Sequence, residues 1–203
     1  MAMYDRFALS PEPDDVSIQD RDLLIRLSAY LDTIETRVRQ GQGWFIFNAA
    51  RARAARIAQY VLAGLRSHAP LISHFLMTWR DFALNAYITE VALPREEQEE
   101  PAPEPESRRD QEQRIARRVS REAYWRALNV DVLVLLDLAP AHAHEITFLA
   151  GILASRHILH LPTVLTTPHM PDGLKAAMDA VDTEGGAWEQ LWGRMYETSL
   201  IAM

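Results

Sequence analysis

Residues 43–65, GWFIFNAARARAARIAQYVLAGL, are the stretch that decides the fold of this chain. Trp44 to Phe47 is a run of bulky apolar residues, which is typical of a strand buried on both faces. Asn48 to Arg51 predicts a turn, and the apolar stripe of a helix follows it at Ile57, Val61, Leu62 and Leu65. Strand, turn and helix in this order are the layout of a phosphate-binding loop, but this turn has none of the usual phosphate ligands.

The composition of the chain restricts its class. Its 203 residues, of which 48% are hydrophobic and 24% charged, are sufficient for one compact domain with its own core. The absence of cysteine excludes disulfides and thiolate metal sites, and it favours a cytoplasmic protein. The apolar runs are too short for a membrane span and the amino terminus is too acidic for a secretory signal, so we expect no membrane partner.

Two segments have a composition that does not support a packed core. Residues 1–19 contain two prolines and few apolar positions, so we expect an extended lead-in before a single domain over 20–203. Residues 94–110 are rich in proline and glutamate, which predicts a disordered acidic insertion. Eight acids and two arginines in residues 96–113 account for most of the net charge of -7. The insertion is either a solvated loop or a tail that mimics the charge of nucleic acid.

Strand patterns alternate with helical patterns along the rest of the chain. An amphipathic helix is predicted over residues 20–40. Further strands are predicted at 71–77, 130–137, 161–167 and 200–201, and further helices at 79–89, 111–128, 144–157, 171–180 and 188–195. This alternation predicts a three-layer α/β/α domain with a parallel central sheet. The strongest strand pattern, VDVLVLLD, ends in a single carboxylate, Asp137.

Four segments together resemble one family. They are residues 43–65, VDVLVLLD at 130–137, LPTVLTTPHMPDGL at 161–174 and WGRMYETSLIAM at 192–203. In these segments the chain resembles the AAA+ core of the DnaC-type bacterial helicase loaders and of the IstB-type transposition helper ATPases. The resemblance implies a P-loop NTPase-like AAA+ fold without a separate lid domain. Proteins of this family load the replicative helicase or direct transposition, bind ATP between subunits and often bind DNA.

The resemblance also implies that the phosphate-binding loop is degenerate. A working loop needs glycines that let backbone N–H groups surround the phosphates, a lysine that pairs with their charge, and a hydroxyl on Mg²⁺. Matched to the family without gaps, this loop has Asn48, Arg51 and Arg53 in place of the glycines. Ala54 stands in place of the lysine and Ala55 in place of the hydroxyl residue, so all three functions are missing.

The other nucleotide motifs of the family are altered as well. The family ends the strand at 130–137 with two acids, and here Leu136 replaces the first, so only Asp137 remains. The polar sensor residue expected after the LPT strand falls on Pro168, which has neither a side-chain donor nor a backbone N–H. Arg194 matches the family's arginine finger, which acts on the nucleotide of a neighbouring subunit.

These losses predict a catalytically inactive AAA+ protein, a pseudo-ATPase that binds no cofactor and no metal. We expect it to act as an adaptor or regulator in DNA replication or transposition, bound to a helicase, a helicase loader or an active AAA+ homologue. The alternative is a DNA-binding module that works without nucleotide through its arginine clusters. Its candidate contacts with nucleic acid are Arg51, Arg53, Arg56, Arg114, Arg117, Arg118 and Arg121.

The arginines of both clusters have alternative roles. Arg51 and Arg53 either fill the vacated phosphate site by pairing with Asp137 or contact a nucleic-acid backbone. The arginines within residues 111–128 either contact phosphates or neutralise the acidic segment beside them. These alternatives differ in which carboxylate, if any, lies next to each guanidinium.

Overall fold

Five short parallel strands lie between two layers of helices in the computed structural model, which describes residues 18–89 and 108–203. The strands are β1 (Gly43–Ile46), β2 (His74–Thr78), β3 (Val132–Leu136), β4 (Thr163–Thr166) and β5 (Ser199–Ala202). The helices are α1 (Ile18–Leu31), α2 (Ile34–Arg39), α3 (Ala52–His68), α4 (Trp79–Tyr87), α5 (Arg108–Asn129), α6 (Ala143–Ile158), α7 (Pro171–Asp179) and α8 (Ala187–Thr198).

The strands are hydrogen-bonded in the order β2-β3-β4-β1-β5, and every neighbouring pair is parallel. The chain passes from β1 to the far edge at β2, returns through β3 and β4, and adds β5 on the other side of β1. The carboxyl ends of β1, β3 and β4 are therefore adjacent, which brings together the loops that follow them. The predicted α/β/α fold with a parallel central sheet is confirmed.

The three central strands, β1, β3 and β4, bury their two faces against different layers of helices. On one face, Trp44, Val134 and Val164 pack in a core with α1, α2 and α3. On the other face, Phe45 and Leu135 pack in a core with α4 to α8. All residues of β1, β3 and β4 are buried, which explains why their sequences are apolar without the alternation of a half-exposed strand.

The predicted helix over residues 20–40 is divided into α1 and α2. At the break, the hydroxyl of Thr33 donates to the carbonyls of Ala29 and Tyr30 at 3.2 and 3.3 Å. A hydroxyl that bonds to the preceding turn competes with the helical backbone pattern, which favours a break at this residue. The prediction of one continuous helix was wrong, and so was the extended lead-in at its last two residues, because α1 begins at Ile18.

Parts of two predictions lie outside the described residues, namely the lead-in over 1–17 and the acidic insertion over 94–107. The helix that follows the insertion begins at Arg108, before its predicted start at residue 111. Within residues 18–89 and 108–203, no helix combines the length and the apolar character that crossing a membrane requires.

Candidate functional site

Backbone hydrogen bonds hold the loop after β1 against the segment after β4. The N–H of Asn48 donates to the carbonyl of His169 at 3.0 Å, and the N–H of Ala49 donates to the carbonyl of Thr167 at 2.8 Å. In the other direction, the N–H of Thr167 donates to the carbonyl of Ile46 at 2.9 Å. Two amides of the kind that a phosphate loop directs at its ligand therefore have acceptors within the protein.

The carboxylate of Asp137 lies at the amino terminus of α3. Its Oδ1 accepts the N–H of Arg51, the residue before the helix, at 2.9 Å. The N–H of Asp137 in turn donates to Oγ1 of Thr166 at 3.0 Å. Asp137 and Arg51 have φ angles of 60° and 40°, which are uncommon for residues with a side chain. An NTPase loop holds phosphate at such a helix terminus, and here a side chain of the protein takes that position.

Short or apolar side chains occupy the positions matched to the lysine, the hydroxyl residue and the first acid. Ala54 is fully buried in the core shared with α1. Ala55 is exposed and has only a methyl group. Leu136 is a core residue with 5% of its surface exposed. These three positions therefore offer no charge for a phosphate and no oxygen for a metal ion.

Arg53 does not pair with Asp137. Its Nε lies 2.7 Å from Oδ1 of Asp20 in α1, and the two side chains are 15% and 16% exposed. Its Nη1 also donates to the carbonyls of Asn48 and Phe47, at 2.7 and 3.4 Å. The guanidinium thus links α1 to the loop. The predicted pairing of Arg53 with Asp137 was wrong because α1 supplies a different carboxylate, one that the sequence did not place near the loop.

Arg51 and Arg56 have exposed side chains. Arg51 contacts Asp137 through its backbone N–H and not through its guanidinium, so the predicted ion pair between these two side chains was also wrong. Arg56 lies 3.5 Å from Oδ2 of Asp20, and its side chain is 51% exposed. Asp20 therefore accepts from two arginines of α3, one of them enclosed and the other open to solvent.

The segment after β4 connects the loops at the carboxyl ends of three strands. Thr167 is fully buried, and its Oγ1 donates to the carbonyl of Leu138 at 2.8 Å and accepts the N–H of His169 at 3.2 Å. Pro168, at the sensor position, is half-buried between the two residues whose carbonyls bind the β1 loop. The sequence identified this segment by its resemblance to the family, but it could not predict the contacts of the Thr167 hydroxyl. Those contacts depend on how three loops pack together.

Arg194 lies at the opposite edge of the sheet. Its Nη1 donates to the carbonyl of Ala150 in α6 at 3.1 Å. It lines a small cleft with Gly41 and Thr163, which are at the amino ends of β1 and β4. Its role as an arginine finger stays a prediction.

The two arginine clusters do not form one surface. Arg51, Arg53 and Arg56 belong to the layer of α1 and α3, whereas α5 packs on the other face of the sheet. On α5, Arg114, Arg118 and Arg121 are exposed, and the Nε of Arg117 is buried without a hydrogen-bond partner. A single flat nucleic-acid footprint that uses all seven arginines is excluded by this arrangement.

Arg156 is a buried charge that no sequence pattern indicated. It is 1% exposed, and all its hydrogen bonds go to neutral acceptors. They are Oγ1 of Thr163 and the carbonyls of Ala127, Leu128, Val130, Asp131 and Pro162, at 2.6 to 3.5 Å. Burial lowers the pKa of Arg156 to about 10, an effect that the Asp131 carboxylate opposes, so the guanidinium stays charged at neutral pH.

The site as a whole provides hydrogen-bond partners but no catalytic constellation. Its carboxylates are Asp137 and Asp20, and no nucleophile with an adjacent base lies beside either of them among the residues described above. In the part of the chain that the structure describes, no three His, Cys, Asp or Glu side chains are placed to share a metal ion.

The strand order, and the loop between β1 and α3 at the adjoining carboxyl ends, define a P-loop NTPase-like fold. Comparison with protein-family models gave no match, and comparison with curated proteins gave none. Solved structures are similar over most of the chain. The DnaC helicase loader has a TM-score of 0.59 and 14% identity, and the match covers 93% of this chain and 92% of that chain.

Two further structures agree with this result. DnaI gives a TM-score of 0.56 and 14% identity over 93% of this chain and 85% of that chain. The replication initiator DnaA, bound to AMPPCP and single-stranded DNA, gives a TM-score of 0.57 and 13% identity, and the match covers 92% of this chain. The chain spans about half of that DnaA chain, 47%. The protein therefore has the AAA+ fold of the DnaC-type helicase loaders, and the predicted resemblance is confirmed for the fold.

Proposed function

We propose that this protein is a pseudo-ATPase, an AAA+ domain that binds partners without binding ATP. The observation that carries the proposal is the hydrogen bond from the Arg51 N–H to Oδ1 of Asp137. It gives an internal acceptor to an N–H at the helix amino terminus, where the loop of an active relative holds phosphate. The buried methyl group of Ala54 replaces the lysine that would balance a nucleotide's charge.

Electrostatics argue strongly against a polyphosphate in this loop. Two like unit charges about 4 Å apart repel by roughly 4 kcal/mol near a protein surface. A phosphate next to Asp137 meets this repulsion without the lysine and the Mg²⁺ that offset phosphate charge in an active loop.

We further propose that the protein acts in DNA replication as an adaptor or regulator of a helicase, a helicase loader or an active AAA+ homologue. The support is the similarity of its fold to DnaC, DnaI and DnaA, which favours replication over transposition as the setting. Arg194, on the edge opposite to the loop, is the candidate for contact with a partner's nucleotide. An Arg194→Ala change that leaves the ATPase rate of a bound partner unchanged argues against that role.

Calorimetric titration with ATP and Mg²⁺ tests the loss of nucleotide binding. We expect no saturable heat at millimolar ATP, with an AAA+ protein that has an intact loop as the positive control. The Asp137→Ala variant is expected to bind no ATP either, because it removes the repulsion without restoring the lysine. Micromolar affinity in the natural chain contradicts the proposal.

Capture of partners from the native host tests the adaptor role. The tagged chain is expected to retain a helicase, a loader or an AAA+ protein in similar amounts with and without ATP. Capture that requires added ATP contradicts a nucleotide-independent adaptor.

DNA binding without nucleotide is a second candidate, favoured by the exposed Arg118 and Arg121 on α5. Single-stranded and duplex DNA are titrated over a salt series, and affinity that falls with salt is the expected signature of phosphate contacts. The double change Arg118→Ala and Arg121→Ala is compared with the same change at Arg37 and Arg39 in α2. Equal losses in both variants contradict a specific role for α5.

A further inference from the structure

An apolar groove of about 490 Å³ lies between α4 and α5. Leu84 of α4 and Ile88, the residue directly after α4, line it together with Ile115 and Val119 of α5. Leu84, Ile115 and Val119 are each 57% exposed. Single exposed apolar residues are common on protein surfaces, but three that share one concave surface indicate a binding site.

The two helices that form the groove run in opposite directions. α4 is antiparallel to α6, because Phe82 contacts Phe148 whereas Tyr87 contacts His144. α5 is parallel to α6, because Tyr124 contacts Phe148 and the carbonyl of Ala127 accepts from Arg156. The groove is therefore bounded by two antiparallel helices. The first residue of α4 that lines the groove and the first residue of α5 that lines it lie at opposite ends of the groove.

Those first residues are both acidic. Asp81 on α4 precedes Leu84 and Ile88, and Glu112 on α5 precedes Ile115 and Val119. Each acid is thus seven residues before the last apolar residue that lines the groove from its side, Ile88 or Val119, which is about 10 Å along a helix axis. No cation lies among the described residues that line the groove. The groove is mostly apolar between the two carboxylates, and its other polar residues are the uncharged Asn85 and Ser120.

The carboxylates remain open to an incoming partner. Glu112 pairs with Arg108 at 3.0 Å, but both side chains are mostly exposed, and such a pair exchanges easily with another cation. Asp81 accepts the hydroxyl of Thr78 at 2.8 Å and is exposed. A cation that enters beside either acid therefore gains a counter-charge at low cost.

We infer that the groove binds an amphipathic helix of another protein, with two basic residues seven positions apart and apolar residues at the third and fourth positions between them. A helix of this kind buries its apolar pair against the groove and places one cation beside each acid. A second copy of this chain does not fit. In its sequence the one pair of basic residues seven apart is Arg114 and Arg121, and arginines occupy the two positions where apolar residues are needed.

This inference goes beyond the proposed function and does not depend on whether the loop binds ATP. It is tested with the full chain and a fluorescein-labelled, alanine-based peptide that contains Lys-x-x-Leu-Leu-x-x-Lys. A matched peptide has Glu in place of both lysines. Fluorescence anisotropy is expected to show saturable binding of the lysine peptide, at least tenfold tighter than that of the glutamate peptide.

Variants of the chain separate the contribution of the apolar contacts to peptide affinity from the contribution of the two carboxylates. Val119→Asp is expected to weaken binding of the lysine peptide at least tenfold. Ile25→Asp on α1, at a residue 68% exposed in the other helical layer, is the control and is expected to leave affinity unchanged. The double change Asp81→Asn and Glu112→Gln is expected to reduce the preference for the lysine peptide to less than threefold. Circular dichroism verifies that each variant is folded.

Several outcomes overturn the inference. They are the absence of saturable binding, equal affinity for the two peptides, and equal effects of Val119→Asp and Ile25→Asp. Self-association of the chain that Val119→Asp abolishes assigns the groove to a second copy. Competition by a peptide of residues 1–17 assigns it to the chain's own amino terminus. All of these outcomes are independent of the calorimetric result with ATP.

Discussion

One charged side chain at each edge of the sheet forms hydrogen bonds with the backbone. The two side chains differ in their burial and in the number of these contacts. At the amino edge, Arg156 is 1% exposed and donates to six neutral acceptors. At the carboxyl edge, the half-buried Asp137 accepts one N–H, that of Arg51. We therefore expect stability to depend more on the buried ion at the amino edge than on the single carboxylate at the carboxyl edge.

Under the proposed function, the difference shows what remains of a binding fold when its ligand chemistry is replaced. A ligand site must leave groups available, so its protein contacts are few, and a single carboxylate is sufficient to occupy it. A buried structural ion must have every donor satisfied, because each unpaired polar group in the interior is costly. Substitutions at the two edges should therefore differ in magnitude and in their response to added ions.

The largest effect is expected for Arg156→Met. Methionine keeps much of the volume but leaves a buried hydroxyl and several buried carbonyls without a donor, so we expect a loss of about 3 kcal/mol in the free energy of unfolding. The free energy of unfolding of Arg156→Lys should lie between those of the natural chain and Arg156→Met. An ammonium keeps the charge but has fewer donors than a guanidinium, in a different geometry. Urea unfolding followed by circular dichroism measures both. A loss below about 1 kcal/mol for Arg156→Met removes the contrast between the edges.

The next largest effect is expected for Arg53→Ala, at the carboxyl edge. It removes an enclosed ion pair with Asp20 and the donor to two loop carbonyls, which should cost about 1.5 kcal/mol. Arg56→Ala is the matched control, because it shares the same helix and the same acid but is half-exposed. A surface pair of this kind contributes about 0.5 kcal/mol or less. If Arg53→Ala and Arg56→Ala lower the free energy of unfolding equally in thermal or urea unfolding, the greater burial of Arg53 does not increase its contribution to stability.

Asp137→Ala should lower the free energy of unfolding by about 1 kcal/mol, which is similar to the effect of losing a helix-capping side chain. The freed N–H of Arg51 then faces solvent at a helix amino terminus, where anions bind favourably. Inorganic phosphate should raise the melting temperature of this variant more than that of the natural chain at equal ionic strength.

Asp131→Ala is the control for the phosphate effect. Its carboxylate accepts the N–H and the hydroxyl of Ser73 at the amino edge, away from any helix amino terminus. A phosphate response of equal size in both variants contradicts the view that Asp137 occupies an anion position.

The smallest effect concerns Asp182, at the turn before α8. Its carboxylate accepts the N–H groups of Ala187, Gly185 and Glu184, and these bonds, led by that of Ala187, lower its pKa below the ordinary 3.8. The group is charged in the folded state at pH values where the unfolded chain begins to protonate it. Its stabilisation is therefore complete above pH 3.8 and is lost as the pH falls below that value.

Melting temperatures between pH 5 and pH 2 measure this loss. Asp182→Asn should flatten the acidic part of the curve, whereas Asp32→Asn, at an exposed residue between α1 and α2, should follow the natural chain. Parallel curves for all three proteins show that Asp182 makes no pH-dependent contribution.

The sequence predicted the sheet well because β1, β3 and β4 are buried on both faces, and burial of this kind leaves continuous apolar runs. It also located Asp137 at the carboxyl end of β3. It could not assign the acceptors of Arg53, because Asp20 is 33 residues away and meets it only when α1 packs on α3. Arg156 gave no signal at all, since its role depends on carbonyls from two separate segments, residues 127–131 and Pro162.

Under the proposed function, the bond between Asp137 and Arg51 makes the loop independent of the cell's energy status. A bound nucleotide changes with the ratio of ATP to ADP, whereas an acceptor that belongs to the chain is present at a constant effective concentration. The loop conformation that this carboxylate supports is therefore the same in starved and growing cells. Any control over such a protein has to act through its abundance or through its partners.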